Sequence, residues 1–347
     1  MTSPIEIQTN VELAPLTTLG VGGAARFFAE VRTEQELIAA LTYAKANGLD
    51  VFVLGGGSNI VVADCGFDGL VIRISIRGVR EVERGADKVT LTVGAGEDWD
   101  GFVAYTVERG LSGVECMSGI PGLVGGTPVQ NVGAYGQEVS ETIVSVRCLD
   151  RTSGAITELT NSECGFGYRT SIFNSTERNR YVVTGVDFRL AVNGSPKLAY
   201  RELAERFSGR SPGLGEVRDA VLAIRRSKSM VIDPADPNSR SAGSFFKNPL
   251  VSAEKYNELT QTFGMIPKFP AANGMVKVPA AWLIENAGFA KGFVLNGAGI
   301  SAKHSLAIVN LGSAGSGDII ELKELIRSAV NSKFGILLEP EPIFVGF

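Results

Sequence analysis

Apolar and polar positions along the chain recur with two periods. Between residues 33 and 49 the apolar positions return at helical spacing, with Leu37, Ile38, Leu41 and Ala44 on one face and Gly48 ending the run. Residues 51–54 are apolar and read as a short strand that runs straight into Gly55, Gly56, Gly57, Ser58 and Asn59. Further strands are predicted at 69–74 and 89–93. A helix over 98–109 places Trp99, Phe102, Val103 and Val107 on its buried face. Strand patterns follow at 144–149, 155–159 and 181–190. A charged helical stretch at 214–228 then closes in Arg225-Arg226-Ser227-Lys228. Residues 233–240 are dense in turn formers and read as a linker. Beyond them the pattern predicts helices at 279–287 and 318–334, the second with a stripe of Ile319, Leu322, Ile326, Ala329 and Val330. The chain closes in an extended segment whose Pro340 and Pro342 cannot donate to a ladder, which points to an edge strand. Helices do not follow strands regularly, so the predicted class is α+β with mixed sheets, not a doubly wound α/β chain.

Composition narrows this picture. With 44% hydrophobic and 20% charged residues, the 347-residue chain has enough apolar content for a packed core. Its net charge of -4 argues against a nucleic-acid-coating surface, so an anionic ligand must be held by a few locally placed basic groups. Cys65, Cys116, Cys148 and Cys164 have no CxxC spacing and His304 is the only histidine, so no metal site is expected. Thiols without a disulfide framework suit a reducing compartment. The N-terminus has no secretory pattern and no window approaches 18 apolar residues, so a cytoplasmic protein with no membrane or nucleic-acid partner is expected.

Glycine is the outlier, at 42 residues against a usual share of roughly 7%. Gly55, Gly56 and Gly57 follow a strand, as a phosphate-cradling loop does, with Ser58 and Asn59 adding side-chain donors. The run is neither a Rossmann fingerprint, since Ile60 stands where a glycine is needed, nor a Walker A loop. Taken alone it also fits a plain turn. A second cluster runs over 118–136 and includes Ser118, Gly119, Ile120, Gly122, Gly125, Gly126, Gln130 and Asn131. It is too rich in glycine and proline for a helix or strand interior. Two such stretches suggest a dinucleotide held in extended form.

These two stretches are followed by Gly167-Tyr168-Arg169-Thr170-Ser171-Ile172-Phe173, by Ala242-Gly243-Ser244-Phe245-Phe246-Lys247-Asn248-Pro249 and by Leu338-Glu339-Pro340-Glu341. In that order they resemble the UDP-N-acetylenolpyruvoylglucosamine reductases over nearly the whole chain. The stretch 180–207, with Tyr200, resembles the subclass that carries an additional tyrosine loop. The resemblance implies an FAD-binding region of the vanillyl-alcohol-oxidase (PCMH) type in two subdomains over 1–229, completed by 335–347, and a separate α+β substrate-binding domain over 230–334. It also implies a monomer in which NADPH reduces FAD, and the reduced flavin then reduces UDP-N-acetylglucosamine-enolpyruvate to UDP-N-acetylmuramate.

The same resemblance assigns roles. Hydride addition to the enolpyruvyl double bond pushes charge into an enediolate, which a guanidinium and an acid can stabilise. Arg169 matches the arginine of that pair and Glu341 the acid, and Ser244 matches the hydroxyl that protonates the α-carbon. Spacing alone does not choose between Glu339 and Glu341, because a strand puts both on one face. Without the resemblance Ser244 reads as a turn or cap residue, and Arg225 and Arg226 as a solvated helix end. Tyr135, Tyr168, Tyr200, Lys228, Lys247, Asn248 and His304 are the expected contacts to the nucleotide sugar. His304, with no partner visible in the sequence, also fits a structural place. Two rivals remain: an oxidase with the same flavin domain, and a nucleotide-sugar binder without turnover.

Overall fold

The structure, a computed structural model, describes residues 5–271 and 274–347. The chain forms two compact units. One holds the chain up to Val11, Ala25–Gly57 and Asp68–Val231; the other holds Glu12–Ala24, Ser58–Phe67 and Ile232–Phe347.

In the first unit a four-stranded sheet runs in the order Gln8–Glu12, Ala24–Val31, Phe67–Ile74 and Val51–Leu54, the last two strands parallel. A larger antiparallel sheet orders Ile156–Thr160, Ile143–Asp150, Tyr181–Val192, Lys88–Gly94 and Val79–Arg84, with Leu111–Ser112 beside the end of Tyr181–Val192. Helix α1 (Glu34–Ala46) starts where the Thr33 hydroxyl accepts the Glu36 N–H, and Gly48 leaves it in the left-handed region at φ 62°. Helix α2 (Trp99–Glu108) is capped by Asp98, whose carboxylate accepts the Gly101 N–H at 2.7 Å. Trp99 and Phe102 pack on Phe188 of the larger sheet, with ring centroids 6.0 and 5.0 Å away. That packing fixes the first turn of α2. A short helix α3 (Arg201–Arg206) and α4 (Leu214–Ser227) share a small separate core of Cys116, Leu203, Phe207, Val217, Val221 and Ile224.

The second unit packs α5 (Ala253–Phe263), α6 (Ala280–Asn286) and α7 (Ser316–Phe334) around a core that includes Leu19, Phe245, Phe246, Leu283, Ile284, Ile319, Leu322 and Ile326. Two small antiparallel sheets join them: Leu250–Val251, Val276–Lys277 and Phe269–Pro270, and Val294–Leu295, Ala298–Ile300 and Ile308–Asn310. The sequence placed 335–347 with the flavin region. In the structure Ile343–Val345 runs parallel to Ile60–Val62 inside the second unit. The apolar run itself gave no hint of this, because its partner lies near the other end of the chain. The expected linker at 233–240 falls just after the change of unit at Val231 and carries the 3-10 turn Pro237–Ser239.

No helix among the described residues is long and apolar enough to cross a membrane. All four cysteines are free, and burial pushes Cys116, Cys148 and Cys164 up to about 12, so these three remain thiols.

Candidate active site

The glycine stretches meet in the first unit. A Cβ built on Gly56 would stand 2.6 Å from the Cα of Gly122 and 3.2 Å from the nitrogen of Leu123. The loops therefore touch backbone to backbone, an approach that no side chain permits. Gly125 backs in the same way onto Ala95, at 2.6 Å from its Cβ, whereas a Cβ at Gly55 or Gly126 would meet nothing within 4 Å. Fused backbones beside an open, Cβ-free strip fit the pyrophosphate of an extended dinucleotide such as FAD. Ser58 and Asn59 belong to the second unit, where the Asn59 amide donates to the Glu341 carbonyl at 3.3 Å and its own carbonyl accepts the Ile343 N–H at 3.0 Å.

Several residues of the second stretch hold its shape. The buried Ser118 hydroxyl donates to the Glu115 carbonyl at 2.6 Å, and the Gly119 N–H donates to Asp100 at 2.6 Å. Asn131 donates to Glu138 at 2.9 Å and to the Gly167 carbonyl at 3.0 Å, and it accepts the Ser140 N–H. Ile120 and Gln130 are half-buried along the same stretch. The first turn of α2 acts as the scaffold. The Trp99 indole donates to the Met117 carbonyl and the Trp99 N–H to the Gly122 carbonyl, both at 3.1 Å. Asp100 also takes two bonds from Arg218 of α4, at 2.6 and 2.9 Å. Burial pushes the Asp100 carboxyl up, but the Arg218 pair, the Gly119 N–H and the charge of Arg225 outweigh it and hold the carboxyl below its ordinary range. Neither Asp100 nor Arg218 is distinguishable in the sequence, since the two lie on separate helices.

Arg225 and Arg226 part company at the end of α4. Arg226 is exposed, while Arg225 is only 7% exposed and donates to the Met230 carbonyl at 2.7 Å. Its Nε has no hydrogen-bond partner among the described residues and lies 3.4 Å from the place a Cβ of Gly119 would take. Such an unmet buried donor against the second glycine stretch is a second observation that fits a bound cofactor there.

Arg169 stands in a tight turn closed by reciprocal backbone bonds between Gly167 and Thr170, at 3.0 and 3.3 Å. Its φ is 54°, and those of Asn131 and Tyr135 are 46° and 48°. The guanidinium donates to the carbonyls of Gly133 at 2.7 Å and Asn131 at 3.4 Å, and lies 5.6 Å from the Tyr168 ring. The Tyr135 ring meets the Tyr200 ring edge-on at 5.1 Å. Burial pushes the Tyr135 hydroxyl up to about 12, against the nearby Arg225 charge. Lys228 pairs with Glu202 of α3 at 3.2 Å.

Ser244, His304 and Glu341 are neighbours in the second unit. The Glu341 N–H donates to the Phe245 carbonyl at 2.9 Å and the Lys247 N–H to the Glu339 carbonyl at 3.0 Å, with a bridge between Phe246 and Pro340. On its other side the Phe245 N–H donates to the Leu306 carbonyl at 2.7 Å. Ser244 thus lies on the middle one of three adjoining segments, and its hydroxyl is 3.3 Å from His304 Nε2. The two glutamates differ in what surrounds them: Glu339 is largely exposed and pairs with Lys247 at 2.7 Å, while Glu341 is half-buried. The Asn248 side chain accepts the Ala280 N–H at 2.9 Å and caps α6.

Comparison with known proteins shows which family the chain resembles. The family "UDP-N-acetylenolpyruvoylglucosamine reductase, C-terminal domain" matches residues 234–345, and "FAD binding domain" matches 25–160. A UDP-N-acetylenolpyruvoylglucosamine reductase of Thermobifida fusca is 49% identical, with 97% of each chain covered. The chain belongs to the UDP-N-acetylenolpyruvoylglucosamine reductase family. The reductase of Nocardia farcinica is 47% identical, covering 98% of this chain and 90% of its own. The crystal structure of the reductase from Thermus caldophilus, 28% identical, superposes with a TM-score of 0.67 over 98% of this chain and 99% of its own. As a member of this reductase family the chain is an FAD-dependent oxidoreductase of peptidoglycan precursor synthesis, with an α+β fold and separate flavin-binding and C-terminal domains.

Proposed function

We propose that the enzyme reduces UDP-N-acetylglucosamine-enolpyruvate to UDP-N-acetylmuramate in the cytoplasm, with NADPH as the source of electrons. When bound, FAD supplies the hydride chemistry. The glycines of both stretches, Gly55, Gly56, Gly57, Gly119, Gly122, Gly125 and Gly126, hold it by backbone contact, with Ser58, Asn59, Ser118, Ile120, Gln130 and Asn131 around it. Arg169, anchored through the carbonyls of Asn131 and Gly133, orients the substrate carboxylate and offsets the charge that develops on it. Glu341 shares that role at the enediolate, and Ser244 donates its hydroxyl proton to the α-carbon. Tyr135, Tyr168, Lys228, Lys247, Asn248 and His304 contact the nucleotide sugar. Tyr200 belongs to the additional tyrosine loop.

The observation that carries this reading is the seating of Ser244 beside the Glu339–Glu341 segment, in a chain of this family. An anaerobic titration tests it. Purified yellow protein should bleach with NADPH and regain its colour on addition of UDP-N-acetylglucosamine-enolpyruvate. Bleached protein that stays bleached with that substrate contradicts the reading.

A further inference from the structure

A serine that gives its proton to carbon is left as an alkoxide, which must regain a proton before the next turnover. An imidazole suits that task, because its unperturbed pKa of about 6.5 lets it give a proton to an alkoxide and recover one from water. His304 is the only histidine of the chain, and its Nε2 is 3.3 Å from the Ser244 hydroxyl. Both ends of this contact rest on fixed backbone. The loop bearing His304 is tied by the Ala302 N–H to Asn238 at 2.8 Å, by Ser305 to Glu285 and by the Ala307 N–H to the His304 carbonyl at 3.0 Å. The serine segment is tied by the Phe245 N–H to Leu306 and by the Gly243 N–H to the Ser241 hydroxyl, with Gly243 at φ 75°.

We propose that His304 is a further catalytic residue, which resupplies the proton that Ser244 delivers. This rests on the reading of Ser244 given above. The imidazolium Nε2–H donates to the serine oxygen, so the hydroxyl hydrogen is turned away from the ring and toward the substrate. As the Oγ–H bond breaks and the α-carbon–H bond forms, the Nε2–H bond breaks and a new Oγ–H bond forms. The imidazole is left neutral, and water returns its proton. No electrons move in this step beyond those of the proton transfers.

Two variants and one spectrum test it. His304→Gln keeps a donor that can orient the serine but hands over no proton, and His304→Ala leaves space for added imidazole. In both, substrate-driven return of flavin absorbance in stopped flow should slow on the order of a hundredfold. Free imidazole should restore the rate of His304→Ala and leave His304→Gln slow. In the protein without substrate, the single Nε2 nitrogen resonance should shift in Ser244→Ala. A wild-type rate in His304→Gln, no rescue of His304→Ala, or an unmoved nitrogen resonance each overturns the proposal. The two readings fail separately. If Ser244→Ala itself turns over normally, the role of the serine falls; if it is slow while His304→Gln is normal, only the role of His304 falls.

Discussion

Arg169 stands in a backbone conformation that costs an ordinary residue about 1–2 kcal/mol, and that glycine would adopt more cheaply. The turn between Gly167 and Thr170 imposes the conformation, and the carbonyls of Asn131 and Gly133 take up the guanidinium it presents. Backbone strain of this kind clusters at functional sites, in keeping with the role proposed for Arg169. Arg169→Lys keeps the charge and loses the planar fork, so substrate-driven flavin reoxidation should fall about a hundredfold while the melting curve stays near wild type. An unchanged reoxidation rate removes Arg169 from the chemistry. At this scale the sequence left open what only neighbours decide. The spacing of Glu339 and Glu341 treats them alike, whereas Glu339 is exposed and pairs with Lys247 and Glu341 is half-buried. Arg225 and Arg226 look equivalent at a helix end, yet one is buried against the glycine stretch and the other is not.

Among the elements, the first turn of α2 organises the flavin side. Trp99 and Asp100 hold Met117, Gly119 and Gly122, and Asp100 ties them to α4 through Arg218. Asp100→Ala leaves the Gly119 N–H and the Arg218 guanidinium without this acceptor. It should cost about 1–3 kcal/mol in a denaturant melt, given that the Asp100 side chain is a third exposed. The pH dependence follows from the lowered folded pKa. The carboxylate stabilises the fold above the ordinary aspartate value of about 3.9, and that contribution is lost as pH falls through the lower folded value. Asp100→Asn should flatten the acid limb of stability against pH. Gly56→Val drives a side chain into the Gly122 backbone, so the purified protein should lose FAD, read as flavin absorbance per chain. A variant that keeps a full complement of flavin contradicts the cradle. The long periodic helices α1, α2, α4 and α7 were legible from spacing and caps. Helix α3 has six residues and α5 buries only Tyr256 and Leu259, so neither carries a stripe that spacing can show. Strands of two residues, such as Leu250–Val251 and Val294–Leu295, are likewise too short for a period.

For the whole molecule, the sequence conveyed the fold class and the family better than the path of the chain. The second unit draws on Glu12–Ala24 and Ser58–Phe67 as well as everything after Val231, because Ile60–Val62 pairs with Ile343–Val345. A linear division at 229 or 230 cannot represent such pairing. The local motifs were readable because each is a short run with its own backbone demands. The proposed chemistry assigns different half-reactions to different groups, and Ser244→Ala separates them. In anaerobic stopped flow this variant should bleach with NADPH at close to the wild-type rate, then regain colour with UDP-N-acetylglucosamine-enolpyruvate on the order of a hundredfold or more slower. Equal loss in both phases, or reoxidation at the wild-type rate, contradicts the account.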